Sequence, residues 1–190
     1  MNTSLISYLT AAAIAWGGYH KNKDFNVNET IAKEVAEAIT IILDEEEPLF
    51  SNDIHKTKTA LLLLSTAFNE SRFHQFVDEG LCNEKDFKAD GRGDCDHGRA
   101  YTVWQINMPK AGIDLTNNGW KVGGIITGRD LLNSKELAVR TALHMLRQSY
   151  KSFGSFCGYS GESCDEGKHP HAENYKGLAI LWYKKHGEPK

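Results

Sequence analysis

No apolar run in this chain approaches the ~20 residues that a helix needs to cross a bilayer, so no membrane span is expected. An excess of positive charge is also missing. Lys and Arg number 22 against 25 Asp and Glu, a formal net charge of −3. That excludes the basic face usual in nucleic-acid binders, and attraction to an anionic polymer would have to come from a local patch. Neither an internal repeat nor a low-complexity linker is visible, and 190 residues suit one domain, or one domain with an extension. Met1-Asn2-Thr3-Ser4 carries no Lys or Arg ahead of the apolar stretch Leu5 to Trp16. A secretory leader normally has that charge, although Ala13-Ile14-Ala15 has the small residues of a cleavage site. Leu5, Leu9, Ala12, Ala13 and Trp16 share one helical face, so a structural helix is expected here.

What is present is mostly helical. Asn26-Val27-Asn28-Glu29 has the form of a capping box, and Ile31, Val35, Ala38, Ile39 and Ile42 then recur at helical spacing. Asp53 is placed to cap the next helix, which carries Ala60, Leu61, Leu64, Ala67 and Phe68. Polar, glycine-bearing sequence follows to Arg99, where an irregular region or a small hairpin is expected. Asn133 to Glu136 opens a further helix lined by Ala138, Ala142, Met145, Leu146 and Phe153, with Gly154 as its stop. Phe156 to Pro170 reads as a loop. Ala172 to His186 reads as a last helix, with Tyr175, Leu178, Ala179 and Trp182 on its apolar face.

Cysteine is scarce: Cys82, Cys95, Cys157 and Cys164. They form two locally spaced couples, which read as two loop-closing disulfides made outside a reducing cytosol. Four reduced thiols are the plain alternative. Zinc is a third reading, through His97, His169 and His171, but the spacing matches no zinc finger or ribbon. The aspartates Asp86, Asp90, Asp94 and Asp96 read as a solvated turn. As a calcium loop they lack the Glu at the twelfth position of an EF-hand. No cofactor and no metal are expected.

Glu70 carries the chemistry. It closes an apolar helix in Phe68-Asn69-Glu70-Ser71-Arg72-Phe73. An ordinary Glu has a pKa of ~4.3 and is deprotonated at neutral pH. Burial and the negative end of the helix dipole both favour its protonated form, which is what a general acid requires. By itself Glu70 reads equally as a surface carboxylate at a fraying helix end. The order of features argues otherwise. After Glu70-Ser71 come an acidic loop, then Ala100-Tyr101-Thr102-Val103-Trp104-Gln105-Ile106-Asn107, then a helix, then Gly158-Tyr159-Ser160.

This arrangement resembles the lysozyme-like superfamily, closest to soluble lytic transglycosylases and goose-type lysozymes, with their Glu-Ser and Gly-Leu-Met-Gln motifs. The resemblance covers roughly residues 55 to 185. It implies a mainly α, lysozyme-like α+β fold, with the irregular or hairpin region around residues 78–106. It divides the chain into an N-terminal helical extension, residues 1–50, and a catalytic domain, residues 51–190. Glu70 matches the catalytic acid. Ser71, Tyr101, Trp104, Gln105, Asn107 and Tyr159 become substrate-binding candidates. Tyr159 resembles the tyrosine that hydrogen-bonds the catalytic Glu. Trp104 is a candidate sugar platform that reads equally as core. Thr102 stands where the family has Gly.

The implied activity is cleavage of the β-1,4 bond between N-acetylmuramic acid and N-acetylglucosamine in peptidoglycan. In a muramidase Asp94 or Asp96 would position water as second carboxylate. A lytic transglycosylase needs only Glu70. The implied setting is periplasmic, secreted or virion-associated, with glycan strands as partner and a virion or secretion apparatus as a further candidate. The rival expectation is a non-catalytic structural or wall-binding protein of such an apparatus, with Glu70 tied up in an ion pair, for example to Arg72 or Arg99, or with its groove filled.

Overall fold

The computed structural model describes residues 2–18, 26–84, 95–114, 124–165 and 169–189. These residues are mainly helical with a small antiparallel component. The main helices are α1 (Thr3–Gly17), α2 (Glu29–Glu45), α3 (Thr57–Ser71), α7 (Lys135–Phe153) and α9 (Pro170–His186). Between them lie the short elements α4 (Gln75–Asp78), α5 (Cys95–Gly98), α6 (Gly128–Asn133) and α8 (Cys157–Ser160). Strand β1 (Ala100–Tyr101) pairs with β2 (Ile106–Asn107), and β3 (Ile113–Asp114) pairs with β4 (Ile125–Ile126). The first pair falls at the edge of the expected hairpin region. The second lies beyond it, in strands too short to show an alternating pattern.

The helices begin and end where local chemistry satisfies their free backbone groups. Asn28, not Asn26, caps α2, its Oδ1 accepting from the amides of Thr30 and Ile31. Asp53 reaches forward to α3, accepting from the Lys58 and Thr59 amides at 3.1 and 2.7 Å. Ser134 caps α7, and Gly154 ends it with φ 67°, the left-handed conformation that glycine adopts without steric cost. Phe153, expected in the core, is 55% exposed.

One apolar cluster joins Leu9 and Trp16 of α1, Val35 and Ile39 of α2, Leu61 and Leu64 of α3, and Ala142 and Leu146 of α7. Residues 1–50 and the rest of the chain therefore share a core. Trp16 meets Phe68 edge-on at 5.9 Å, and Phe68 meets Phe73 at the same distance. These contacts pin the C-terminal turn of α3, the turn that carries Glu70. Arg140 of α7 bonds both Glu45 and Glu46 and clamps α7 to the end of α2.

The cysteines form two disulfides, Cys82–Cys95 and Cys157–Cys164, with Cα separations of 5.5 and 5.4 Å. No free cysteine remains, so no thiolate is available for zinc. The two bridges fit an oxidising compartment. Among the described residues no helix is long and apolar enough to cross a membrane.

Candidate active site

Glu70 lies in the last turn of α3, at the negative end of that helix. Its carboxylate opens on a cleft of about 320 Å³ lined by α3 and the residues after it (Asn69, Ser71, Arg72, His74), by Cys95 and Asp96, and by Gln105. The end of α3 and two short segments about 25 to 35 residues further on thus meet around one half-buried carboxyl group. Burial pushes the Glu70 pKa above the ordinary glutamate value. A hydrogen bond from Tyr175 and the charge of His171 pull the other way and do not cancel it.

The backbone around the cleft is unusual. Eight described non-glycine residues have positive φ, and seven of them are Arg72, Phe73, Cys95, Asp96, His97, Thr102 and Gln105. All seven belong to the segments that wall the cleft. Left-handed dihedrals in non-glycine residues cost about 1–3 kcal/mol each and persist where the surroundings impose them, most often at functional sites. Here the Cys82–Cys95 bridge anchors the left-handed turn of α5, and Ser71 anchors the other side. The Ser71 hydroxyl donates to Ala67 O at 2.9 Å and accepts from Phe73 N at 3.1 Å.

Tyr175 completes the site from α9. It is 2% exposed, and its hydroxyl donates to Glu70 Oε1. Burial first, then the charge of Glu70, holds its phenol far above the usual tyrosine range, so it stays a donor. Glu162 sets the position of α9. Its carboxylate accepts from the amides of His171 and Ala172 at 2.9 and 3.1 Å and from Ser160 Oγ at 2.7 Å. The Cys157–Cys164 bridge closes the loop that holds it.

The expected site residues divide into three groups. Glu70, Ser71, Asp96 and Gln105 come together in the cleft. Asp96 is held by Arg99 at 3.2 Å and by Asn107 Nδ2 at 2.6 Å, so Asn107 acts through Asp96. Gln105 is folded onto its own turn, donating to Thr102 O at 3.1 Å. The second group is built behind the cleft. Trp104 is 0% exposed and its indole N–H donates to Leu63 O at 3.0 Å, which makes it core and not a sugar platform. Tyr159 is corrected likewise. Its hydroxyl donates to Trp104 O at 2.7 Å, and its ring stands edge-on to Tyr175 at 6.0 Å. The tyrosine bonded to Glu70 is Tyr175. Tyr101 packs under the start of α6, against the space left by the missing side chain of Gly128. Asp94 lies outside the described residues.

Tyr175 has no local signature in the sequence. It sits on the apolar face of α9 like any core residue, and only the need of a buried phenol for a hydrogen-bond partner marks it. Among the described residues Glu70 makes no ion pair, and Arg99 pairs with Asp96. An open cleft thus combines a carboxyl group biased toward protonation, a tyrosine that fixes its orientation, and a second carboxylate already ordered. That set can deliver a proton to a bound oxygen and then accept one. No protein-family model, curated protein or solved structure matches this chain.

Proposed function

We propose that this protein cleaves peptidoglycan glycan strands at the β-1,4 bond between N-acetylmuramic acid and N-acetylglucosamine, with Glu70 as the acid. The observation that carries the reading is the Glu70 carboxyl group, raised in pKa by burial, facing an open cleft and oriented by Tyr175. Glu70 gives its proton to the glycosidic oxygen as the C1–O bond breaks, assisted by the substrate's N-acetyl group. Its carboxylate then takes a proton from the group that attacks C1. If that group is the sugar's own 6-hydroxyl, the product is a 1,6-anhydro end. If it is water, positioned by Asp96, the product is a reducing end. Both routes restore protonated Glu70. The two disulfides support action outside a reducing cytosol, in the periplasm, in the medium or on a virion.

Mass spectrometry of purified peptidoglycan digested with the protein tests this reading. Fragments with new 1,6-anhydro ends assign a lytic transglycosylase. New reducing ends at N-acetylmuramic acid assign a muramidase and give Asp96 its role. Intact strands from several walls contradict the proposal and favour the structural or wall-binding alternative.

A further inference from the structure

A second groove, of about 450 Å³, lies between α3, α7 and α9 and shares no lining residue with the Glu70 cleft. Its floor is apolar, from Leu61, Leu62 and Ala179, and its walls are Phe50, Tyr150, Ile180 and Tyr183. Phe50 and Tyr150 meet edge-on at 5.8 Å and hold one wall in place. On α9 the lining residues Lys176, Ile180, Tyr183 and Lys184 recur at three- and four-residue spacing, so one helix face forms the opposite wall. Ile180 is 47% exposed there, an aliphatic side chain left facing the opening.

The charged part of the lining has one sign. Lys58, Lys176 and Lys184 contribute to the groove, and no described carboxylate does. Lys58 Nζ stands 5.5 Å from the Tyr183 ring centroid. Two carboxylates bond lining residues from outside the groove, while Lys58 and Lys184 make no ion pair among the described residues. Glu173 pairs with Lys176 at 2.6 Å while 62% exposed, and Glu188 accepts from the hydroxyls of Tyr183 and Thr57. In a chain of net charge −3 this is a local reversal of sign. The volume falls in the range of small-molecule sites, about 300–1,000 Å³.

From this we infer that the groove binds a single-chain anionic amphiphile: an alkyl tail on the apolar floor, and a carboxylate, sulfate or phosphate head beside Lys58 and Lys184. The inference does not depend on the glycosidase reading.

Isothermal titration of the full chain with dodecanoate, below its micellar concentration, tests it. One site is expected, at least tenfold tighter than for dodecyl maltoside, which has the same tail and a neutral head. Each methylene removed from the tail is expected to weaken binding about fourfold, the factor for one buried CH₂. K58Q/K184Q is expected to lose tenfold or more for dodecanoate and little for the maltoside. Ile180→Glu places an anion in the opening and is expected to abolish dodecanoate binding. Circular dichroism confirms that both variants fold. Equal affinity for the two heads, indifference to K58Q/K184Q, or no heat from either probe overturns the proposal. So does binding to phosphatidylglycerol vesicles without binding of monomeric dodecanoate, which makes the face a membrane surface. A dimer in sedimentation that Ile180→Glu dissolves overturns it in favour of a second copy of the chain.

Discussion

Tyr175 donates its hydroxyl hydrogen to the Glu70 carboxylate across a sequence separation of 105 residues. A bond to the ionised form stabilises that form and opposes the upward push of burial. Tyr175→Phe therefore raises the Glu70 pKa further. If Glu70 is the general acid, the alkaline limb of the kcat/KM profile moves to higher pH in this variant. An unmoved limb, measured on soluble glycan fragments, removes Tyr175 from the site.

The same burial makes the wild-type fold sensitive to pH. The folded pKa of Glu70 lies above its unfolded value, so its contribution is fully present below the unfolded pKa and is lost as pH rises through the folded pKa. Glu70→Gln removes the ionisation and keeps an oxygen that accepts from Tyr175. Denaturant midpoints at pH 4 and pH 8 are expected to show this variant gaining on the wild type as pH rises, in the way active-site residues are traded against stability. A constant difference between the two pH values refutes this assignment.

Much of the site was legible in the sequence because its signals are local. Glu70 closes an apolar helix, the cysteine couples lie 13 and 7 residues apart, Asp96 sits in a short polar segment, and Gln105 is a lone polar residue between Trp104 and Ile106. What escaped is non-local. Trp104 reads like a sugar platform until its N–H is found on Leu63 O, 41 residues earlier. Tyr159 and Tyr175 are two buried-face tyrosines whose roles depend on how α8 and α9 pack. The α2 cap shifted from Asn26 to Asn28 because both asparagines can accept from backbone amides, and only the chain's entry into the helix decides between them.

Thr102 holds φ 64° and is 5% exposed. A β-branched residue is disfavoured in this conformation, which glycine adopts freely. Thr102→Gly is expected to raise stability by about 1 kcal/mol, allowing for the greater freedom of glycine in the unfolded chain. Calorimetry checks it: a fall in Tm shows that the Thr102 side chain contributes more than its backbone costs.

The Cys82–Cys95 bridge joins the turn after α4 to the left-handed turn that presents Asp96. Closing a loop of this length contributes about 3 kcal/mol in the chain-entropy model. C82S/C95S is expected to lose that stability, and its cleft wall loosens with it. Glycan cleavage under conditions where the variant remains folded is expected to fall at least tenfold. Full activity in the folded variant shows that the bridge serves stability alone.

The proposed cleavage turns on one carboxyl group, so it is tested by the release of soluble fragments from purified peptidoglycan by wild type and Glu70→Gln at equal concentration. Removing a general acid costs about 10²–10⁴-fold in rate. Fragments are expected from the wild type, with a loss of at least about 10²-fold in the folded variant. Equal release by both proteins, or none by the wild type, would contradict the proposal.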